Sequence, residues 1–365
     1  MLSARTTVSF PRLDAFLGDI LESLSAHDMP VTPAGDGYVA TSTFGHAQLV
    51  PGPQRLAIEI FAPTAPELNR VRYSITGLIG FVAKSEGLDI VWEGDEVGRT
   101  FPPDLRILTV HEIRSLTPRM CRVVFSGPDL ARFDTREQIH TRLLFQPEDA
   151  VRPEWPTLDD AGLISWPGGR QRLGSRVYTV RYVDVAASQL CIDFFDHGGT
   201  GPGTRWLRRA RPGDIVGAVG PAAHGPKPAR RILLVGDETG LPGIARMLEE
   251  AAPDTEGLAL ILVTDDQDRL DLRAPGGIEV RWLLRAEAAP GSEPLNAAVR
   301  DLDWSGPQDD LFVWVGCEFH DFRAIRRFLR DDLKLPAERI VAFSHWRRGM
   351  SEEDIITIGA HAVSA

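Results

Sequence analysis

The chain has 365 residues and carries 40 Lys and Arg against 51 Asp and Glu, a net charge of −11. Its 43% hydrophobic and 25% charged content is that of an ordinary globular protein of two or three domains. The acidic balance argues against a nucleic-acid binder or a basic membrane-surface protein, and no apolar run reaches the ~18 residues of a membrane span.

Residues 1–97 read as a small α+β domain. A helix is predicted over Pro11–His27 and short strands over Tyr38–Ser42, Ala47–Val50 and Leu56–Phe61. A second helix follows over Ala65–Ser85, and Leu88–Trp92 looks like a closing strand. His27 and Asp28 are residue types of a metal or acid/base site, although a histidine at a helix C-terminus is also favoured by the helix dipole. Gly94–Pro103, charged and ending in Phe-Pro-Pro, reads as a linker.

Residues 104–226 carry short strands between Gly, Pro and Asp turns: Arg106–Ile113, Cys121–Ser126, His140–Phe145, Arg176–Val183, Gln189–Phe195 and Asp214–Val219. Six such strands predict a small antiparallel Greek-key β-barrel, with Gln146–Gly174 as a long insertion. Over residues 229–365 the pattern changes to alternating strands (Ile232–Val235, Leu258–Thr264, Ile278–Leu284, Leu311–Val315, Ile340–Ser344) and helices (Leu241–Ala252, Leu295–Asp301, Asp321–Leu333). That alternation predicts a doubly wound parallel sheet.

Two stretches carry chemistry. In G-S-R-V-Y-T, a strand can present the cation of Arg176, the ring of Tyr178 and the hydroxyl of Thr179 to one ligand. The following H-G-G-T-G-P-G-T-R-W runs through small residues into a helix start at Thr204, Arg205 and Trp206. A flavin dinucleotide needs an aromatic neighbour for its ring, and backbone N–H groups, a helix start and a cation for its pyrophosphate. In I-L-L-V-G-D-E-T-G-L-P-G-I, a buried strand turns at Gly236–Gly240 into a helix with Pro242 in its first turn, a cradle for a second nucleotide's phosphates. Gly236, Asp237, Thr239 and Pro242 are candidate contacts there. Gly316 and Glu318 lie opposite, at the carboxyl edge of the sheet. Glu318 also suits a plain helix-start carboxylate, and Asp265-Asp266 after the second strand lean toward NADH over NADPH.

Cys121, Cys191 and Cys317 form no C-x-x-C pair, so neither a disulfide framework, a zinc ribbon nor a four-thiolate iron–sulfur cluster is expected, and no metal site is predicted. A redox centre here would be an organic cofactor. The N-terminus lacks an apolar signal segment, which predicts a cytoplasmic protein.

Taken together, R-V-Y-T, H-G-G-T-G-P-G-T-R-W, G-D-E-T-G-L-P-G-I, W-V-G-C-E and H-W-R-R-G resemble the siderophore-interacting proteins. These are FAD-dependent ferric-siderophore reductases of the ferredoxin-reductase-like superfamily. The resemblance covers roughly residues 104–350. Residues 1–97 resemble a separate small domain of unknown function that is sometimes fused to such reductases.

The resemblance implies FAD held by Arg176, Tyr178, Thr179, His197, Gly198, Thr200, Gly201, Thr204 and Trp206. It implies NADH or NADPH, or a ferredoxin-type protein, as electron donor, and a ferric siderophore as acceptor. A basic residue in the family's H-V-K-L strand is here Arg142; Arg285 and Arg348 are further candidates for the anionic acceptor. Gly240 and Gly243 stand where the family usually has alanine, which is expected to loosen the turn. Two rival readings stay open: a flavin oxidoreductase for another acceptor on the same fold, and a non-catalytic siderophore-binding or iron-sensing protein.

Overall fold

A computed structural model describes residues 1–95, 101–159, 162–196, 198, 201–288, 292–306 and 310–347. Residues 1–105 and 147–172 form one compact unit; 106–146 and the chain from 173 onward form another.

The first unit is a sheet covered by two helices. Its elements are β1 (Leu2–Ser9), α1 (Leu13–Ala26), β2 (Val31–Ala34), β3 (Gly37–Thr41), β4 (His46–Gly52), β5 (Arg55–Ala62), α2 (Ala65–Val82) and β6 (Glu93–Gly94). The strand order is β2-β3-β4-β5-β1-β6, with antiparallel neighbours. β1, which was not predicted, lies inside the sheet between β5 and β6. Its alternation is plain once paired: Ala4, Thr6 and Val8 are buried while Arg5, Thr7 and Ser9 face solvent. α1 buries Leu13, Ile20 and Leu24, and α2 buries Leu68, Val71, Ile75 and Ile79.

The expected closing strand at Leu88–Trp92 does not form. Ile90 and Trp92 go into the core instead, with Trp92 Nε1 donating to Thr76 Oγ1 at 3.0 Å, and pairing with β1 begins at Glu93. His27 is a helix end: its Nδ1 lies 2.7 Å from the Ser23 carbonyl. Among the described residues no group of three His, Cys, Asp or Glu could hold a metal.

The second unit begins with an antiparallel sheet: β7 (Leu105–Ser115, whose first residue belongs to the first unit), β8 (Met120–Ser126) and β9 (His140–Phe145). Between β9 and the strand after the insertion, the described residues hold a two-residue pair, β10 (Thr157–Leu158) with β11 (Ile164–Ser165), and a single 3₁₀ turn at Gly169–Gln171, and residues 147–172 belong to the first unit. Then come β12 (Gly174–Thr179), β13 (Tyr182–Asp184), β14 (Gln189–Phe195), the short helix α3 (Pro202–Leu207) and β15 (Ile215–Ala222). The order is β12-β9-β15-β7-β8-β14-β13.

The predicted single strand Arg176–Val183 is therefore two strands on opposite edges. It breaks at Val180 and Arg181, whose N–H groups donate to Ile139 and Cys191 carbonyls at 2.8 Å each. Two residues can join opposite edges only if the sheet curls round on itself. Phe125, Leu143, Phe145, Ile192, Phe194 and Val216 fill its inside.

The rest is β16 (Arg231–Gly236), α4 (Leu241–Glu250), β17 (Glu256–Val263), β18 (Ile278–Leu284), α5 (Pro294–Arg300), β19 (Leu311–Glu318), α6 (Phe319–Arg327) and β20 (Ile340–Trp346). All neighbours are parallel in the order β18-β17-β16-β19-β20. The helix expected over Asp321–Leu333 starts at Phe319 and continues past Arg327 as a π-turn to Asp332.

Three arginines tie this sheet to the antiparallel one. Buried Arg246 of α4 donates to the Val180 and Thr135 carbonyls at 2.7 Å each. Arg181 grips Glu249 at 2.6 and 2.8 Å. Arg119 reaches Asp265 at 2.9 Å.

Candidate functional site

β16 and β19 are the central strands where the order reverses, and open α/β sheets bind ligands at the carboxyl ends of such a pair. Gly236 and Gly316 face each other there in register. A methyl group on Gly240 would collide with the Gly316 carbonyl oxygen, and one on Gly236 would lie 2.9 Å from it. Gly240 thus lets the turn approach β19 and does not loosen it. Gly243 likewise packs on Trp314, whose ring would be 3.0 Å from an added Cβ.

Asp237 staples this turn. Its Oδ1 accepts from the Thr239 N–H (2.9 Å) and hydroxyl (2.5 Å); its Oδ2 accepts from the Glu318 N–H (3.0 Å) and Trp346 Nε1 (2.7 Å). Glu318 caps α6, accepting from the His320 N–H at 2.6 Å. Both carboxylates, expected to contact a nucleotide, are directed at the protein's own donors.

A cavity lies where the turn faces the antiparallel sheet. Arg176, Tyr178 and Thr179 of β12 line it together with Gly201, Gly203 and Thr204, so five predicted flavin residues are gathered in one place. Thr239 and Pro242 of the turn, and His345 and Trp346 of β20, line it from the other sheet. Tyr178 packs 4.3 Å from Phe194 and edge-on to Phe145. A side chain at Gly203 would collide with the Tyr178 hydroxyl, and one at Gly201 would touch the Arg176 guanidinium at 3.4 Å. The small residues of G-P-G-T thus let the loop lie directly on the β12 side chains.

Several predicted residues lie elsewhere. Trp206 is buried in the core, 5.3 Å from Phe145 and 5.5 Å from Phe194. Gly198, at φ +76°, forms a tight turn with its N–H on Asp196 Oδ1 at 2.8 Å, and does not line the cavity. Arg285 pairs with buried Glu238 at 2.8 Å, and Glu238 also accepts from the Thr264 hydroxyl at 2.7 Å. Burial, with Asp237 nearby, raises the Glu238 carboxyl above its usual range, and Arg285 opposes this. Arg142 donates to Ser175 Oγ at 3.0 Å. Neither arginine lines the cavity. His197, Thr200 and Arg348 lie outside the described residues.

His140, Gly203, Glu238 and His345 also line the cavity, and motif reading did not assign them to it. Gly203 could have been found from the glycine spacing of G-P-G-T. His140 heads the strand that resembles the family's H-V-K-L, but its place on the cavity depends on β20: its ring sits edge-on to Phe343 (5.6 Å) and His345 (5.8 Å). Burial holds His140 down to about 3, with His345 and Arg246 adding to the effect. His345 is also lowered by burial, against the pull of Asp237 and a hydrogen bond to the Thr239 backbone.

The residues present fit a flavin. Thr179 Oγ1 and both ring nitrogens of His140 are buried with no hydrogen-bond partner among the described residues. Buried polar atoms are normally satisfied, so unpartnered ones on a cavity wall suit a polar ligand. The enclosed volume is about 100 Å³, well under a typical small-molecule pocket of several hundred. It suits part of a ring, with the remainder of a dinucleotide along the open side.

Residues 109–225 match the family profile described as the siderophore-interacting FAD-binding domain, and residues 229–349 match that of the siderophore-interacting protein. A siderophore utilization protein from T. fusca is 32% identical, with a TM-score of 0.57, and the match covers 71% of this chain and 98% of that one. The chain belongs to the siderophore-interacting protein family.

Another siderophore-interacting protein, SipS from Aeromonas hydrophila, is 27% identical with a TM-score of 0.60, over 72% of this chain and 99% of its own. Ferric vibriobactin reductase ViuB of Vibrio cholerae is 27% identical over 262 residues, 71% of this chain and 94% of that protein. No described helix is long and apolar enough to cross a membrane.

Proposed function

We propose that this family member is an FAD-dependent reductase of ferric siderophores that draws its electrons from NADH or NADPH. The observation that carries the reading is the shared cavity: Arg176, Tyr178 and Thr179 line it from one sheet, Thr239 and Pro242 from the other. A flavin and a nicotinamide ring must meet face to face, and this arrangement suits such a meeting.

In this reading residues 104–226, apart from the 147–172 insertion that belongs to the first unit, are a Greek-key flavin barrel, 229–365 the nucleotide domain and 1–97 a separate domain, and iron is released in the cytoplasm. Arg176 supplies the cation for the flavin phosphates, Tyr178 an aromatic wall and Thr179 a hydroxyl for the ring. Gly201 and Thr204 hold the dinucleotide from the cavity wall, Gly198 contacts it beyond the cavity, and His197 and Thr200 keep the FAD-binding roles that the resemblance implies. Asp237 and Glu318 act indirectly, by holding the donor's turn in shape. Bound FAD supplies the conversion of a two-electron hydride into single electrons, which suits two ferric ions in succession.

Arg142 and Arg348 attract the anionic chelate to a protein whose overall charge of −11 would repel it. Arg285, held by Glu238 at the sheet's carboxyl edge, is better placed for the donor.

The test is an absorbance spectrum of the full-length protein, then anaerobic stopped-flow in two halves. A yellow protein should be bleached by NADH or NADPH and should regain colour fastest with a ferric tris-catecholate. A colourless protein that takes up no FAD would overturn the reading. So would a reduced flavin that passes electrons to quinone or free flavin faster than to the ferric chelate.

A further inference from the structure

His140 is almost wholly buried, and neither of its ring nitrogens is hydrogen-bonded among the described residues. Its strand β9 ends at the cavity, and its ring lies on the cavity wall beside His345. Thr179, its register partner on β12, lines the same cavity with a buried hydroxyl that has no hydrogen-bond partner among the described residues. Two neighbouring residues on adjacent strands thus leave hydrogen-bonding capacity unused at one spot. A purely structural imidazole in a packed sheet would find a carbonyl or be replaced by an apolar ring, because an unpaired buried polar group costs about 1–3 kcal/mol.

We infer that His140 is a positioning residue for the flavin ring, its neutral imidazole completing its hydrogen bonds on the ring's polar groups together with the Thr179 hydroxyl. The inference rests on the FAD reading above and extends it to a residue that the flavin motif does not contain.

A neutral donor suits this place. A charged imidazolium would face Arg246 and the second histidine, and burial keeps the ring uncharged across the physiological range. Donation toward the ring favours the more electron-rich, reduced cofactor over the oxidised one. His140 would therefore set both how tightly FAD sits and how easily it is reduced.

The test titrates FAD into full-length apoprotein by flavin fluorescence and records the absorbance spectrum and reduction potential of the loaded protein. His140→Phe keeps a ring of similar size without donors. It should weaken FAD binding about tenfold, the equivalent of one ordinary hydrogen bond. It should also shift the potential to a more negative value. His140→Asn, which retains a donor, should recover part of both, and Thr179→Val should repeat the loss.

Wild-type affinity, spectrum and potential in His140→Phe would overturn the inference while leaving the FAD reading intact. If His140→Phe does not fold, unchanged values in both His140→Asn and Thr179→Val overturn it equally. A wild-type protein that takes up no FAD defeats the function reading itself, and this inference with it.

Discussion

The nucleotide turn and the end of β12 face one cavity and treat their polar groups in opposite ways. Asp237 accepts four hydrogen bonds, from Thr239 twice and from Glu318 and Trp346 once each. Across the cavity, Thr179 Oγ1 and the two nitrogens of His140 make none among the described residues. A group whose hydrogen bonds are complete within the protein shapes a site. A buried group with unused capacity is available to a ligand. Asp237 and Glu318 look like ligand contacts in the sequence, and in the structure both carboxylates accept hydrogen bonds from the protein's own donors.

The largest expected effect lies on the satisfied side. Asp237→Ala strands four donors at the junction of β16, β19 and β20, so it should cost about 3–5 kcal/mol of stability. Urea unfolding of the variant measures it. A loss smaller than that of an ordinary surface substitution would show that the turn does not depend on this carboxylate.

Arg176→Ala makes the opposite prediction. The guanidinium lies against the Gly201 loop, where the flavin phosphates are proposed to run. The variant should keep its unfolding midpoint yet lose FAD affinity by roughly 10–100-fold, as for a charge-assisted contact of ~1.5–3 kcal/mol. Thr204→Ala should act in the same direction, less strongly. Full flavin occupancy in both would remove the phosphates from this loop.

At neutral pH the smallest effect on stability belongs to His140. Its folded value near 3 lies below the ~6.5 of an unfolded histidine, so between these values the unfolded chain holds the extra proton. This contribution to stability is complete above about pH 6.5 and is lost on acidification toward pH 3, with a slope of at most ~1.4 kcal/mol per pH unit. His140→Phe should flatten that acid limb and change stability at pH 7 by no more than about 1 kcal/mol. Unfolding curves from about pH 4.5 to 7 would decide it, and an unchanged limb would mean that another group carries the acid sensitivity.

Much of the fold was legible locally. β9, β14 and β18 stand where they were predicted, because each is an apolar run bounded by turn residues. The nucleotide turn was equally plain: a buried strand, a glycine and a proline in the first helical turn have few other uses. β1 was missed because L-S-A-R-T-T-V-S is weakly apolar, and its alternation means little until β5 pairs with it along its whole length. The break at Val180 and Arg181 was missed because the residues alternate straight through it. Curling of the sheet, a property of seven strands together, sends the two halves to opposite edges.

The site divides in the same way. Arg176, Tyr178, Thr179, Gly201 and Thr204 come together in one cavity, as a strand followed by a small-residue turn within one stretch of chain allows. Trp206 looks identical in sequence whether it stacks on adenine or on Phe145, and only packing placed it in the core. The short-range rules of period, turn residue and helix start determined which strands and turns form and which motif residues lie side by side. Tertiary structure decided which polar groups found partners, since that depends on atoms far apart in the chain. Asp237 is satisfied by Glu318 and Trp346 from distant strands. His140 meets β20 only through rings that offer it no hydrogen bond in this structure, and so remains available to the cavity.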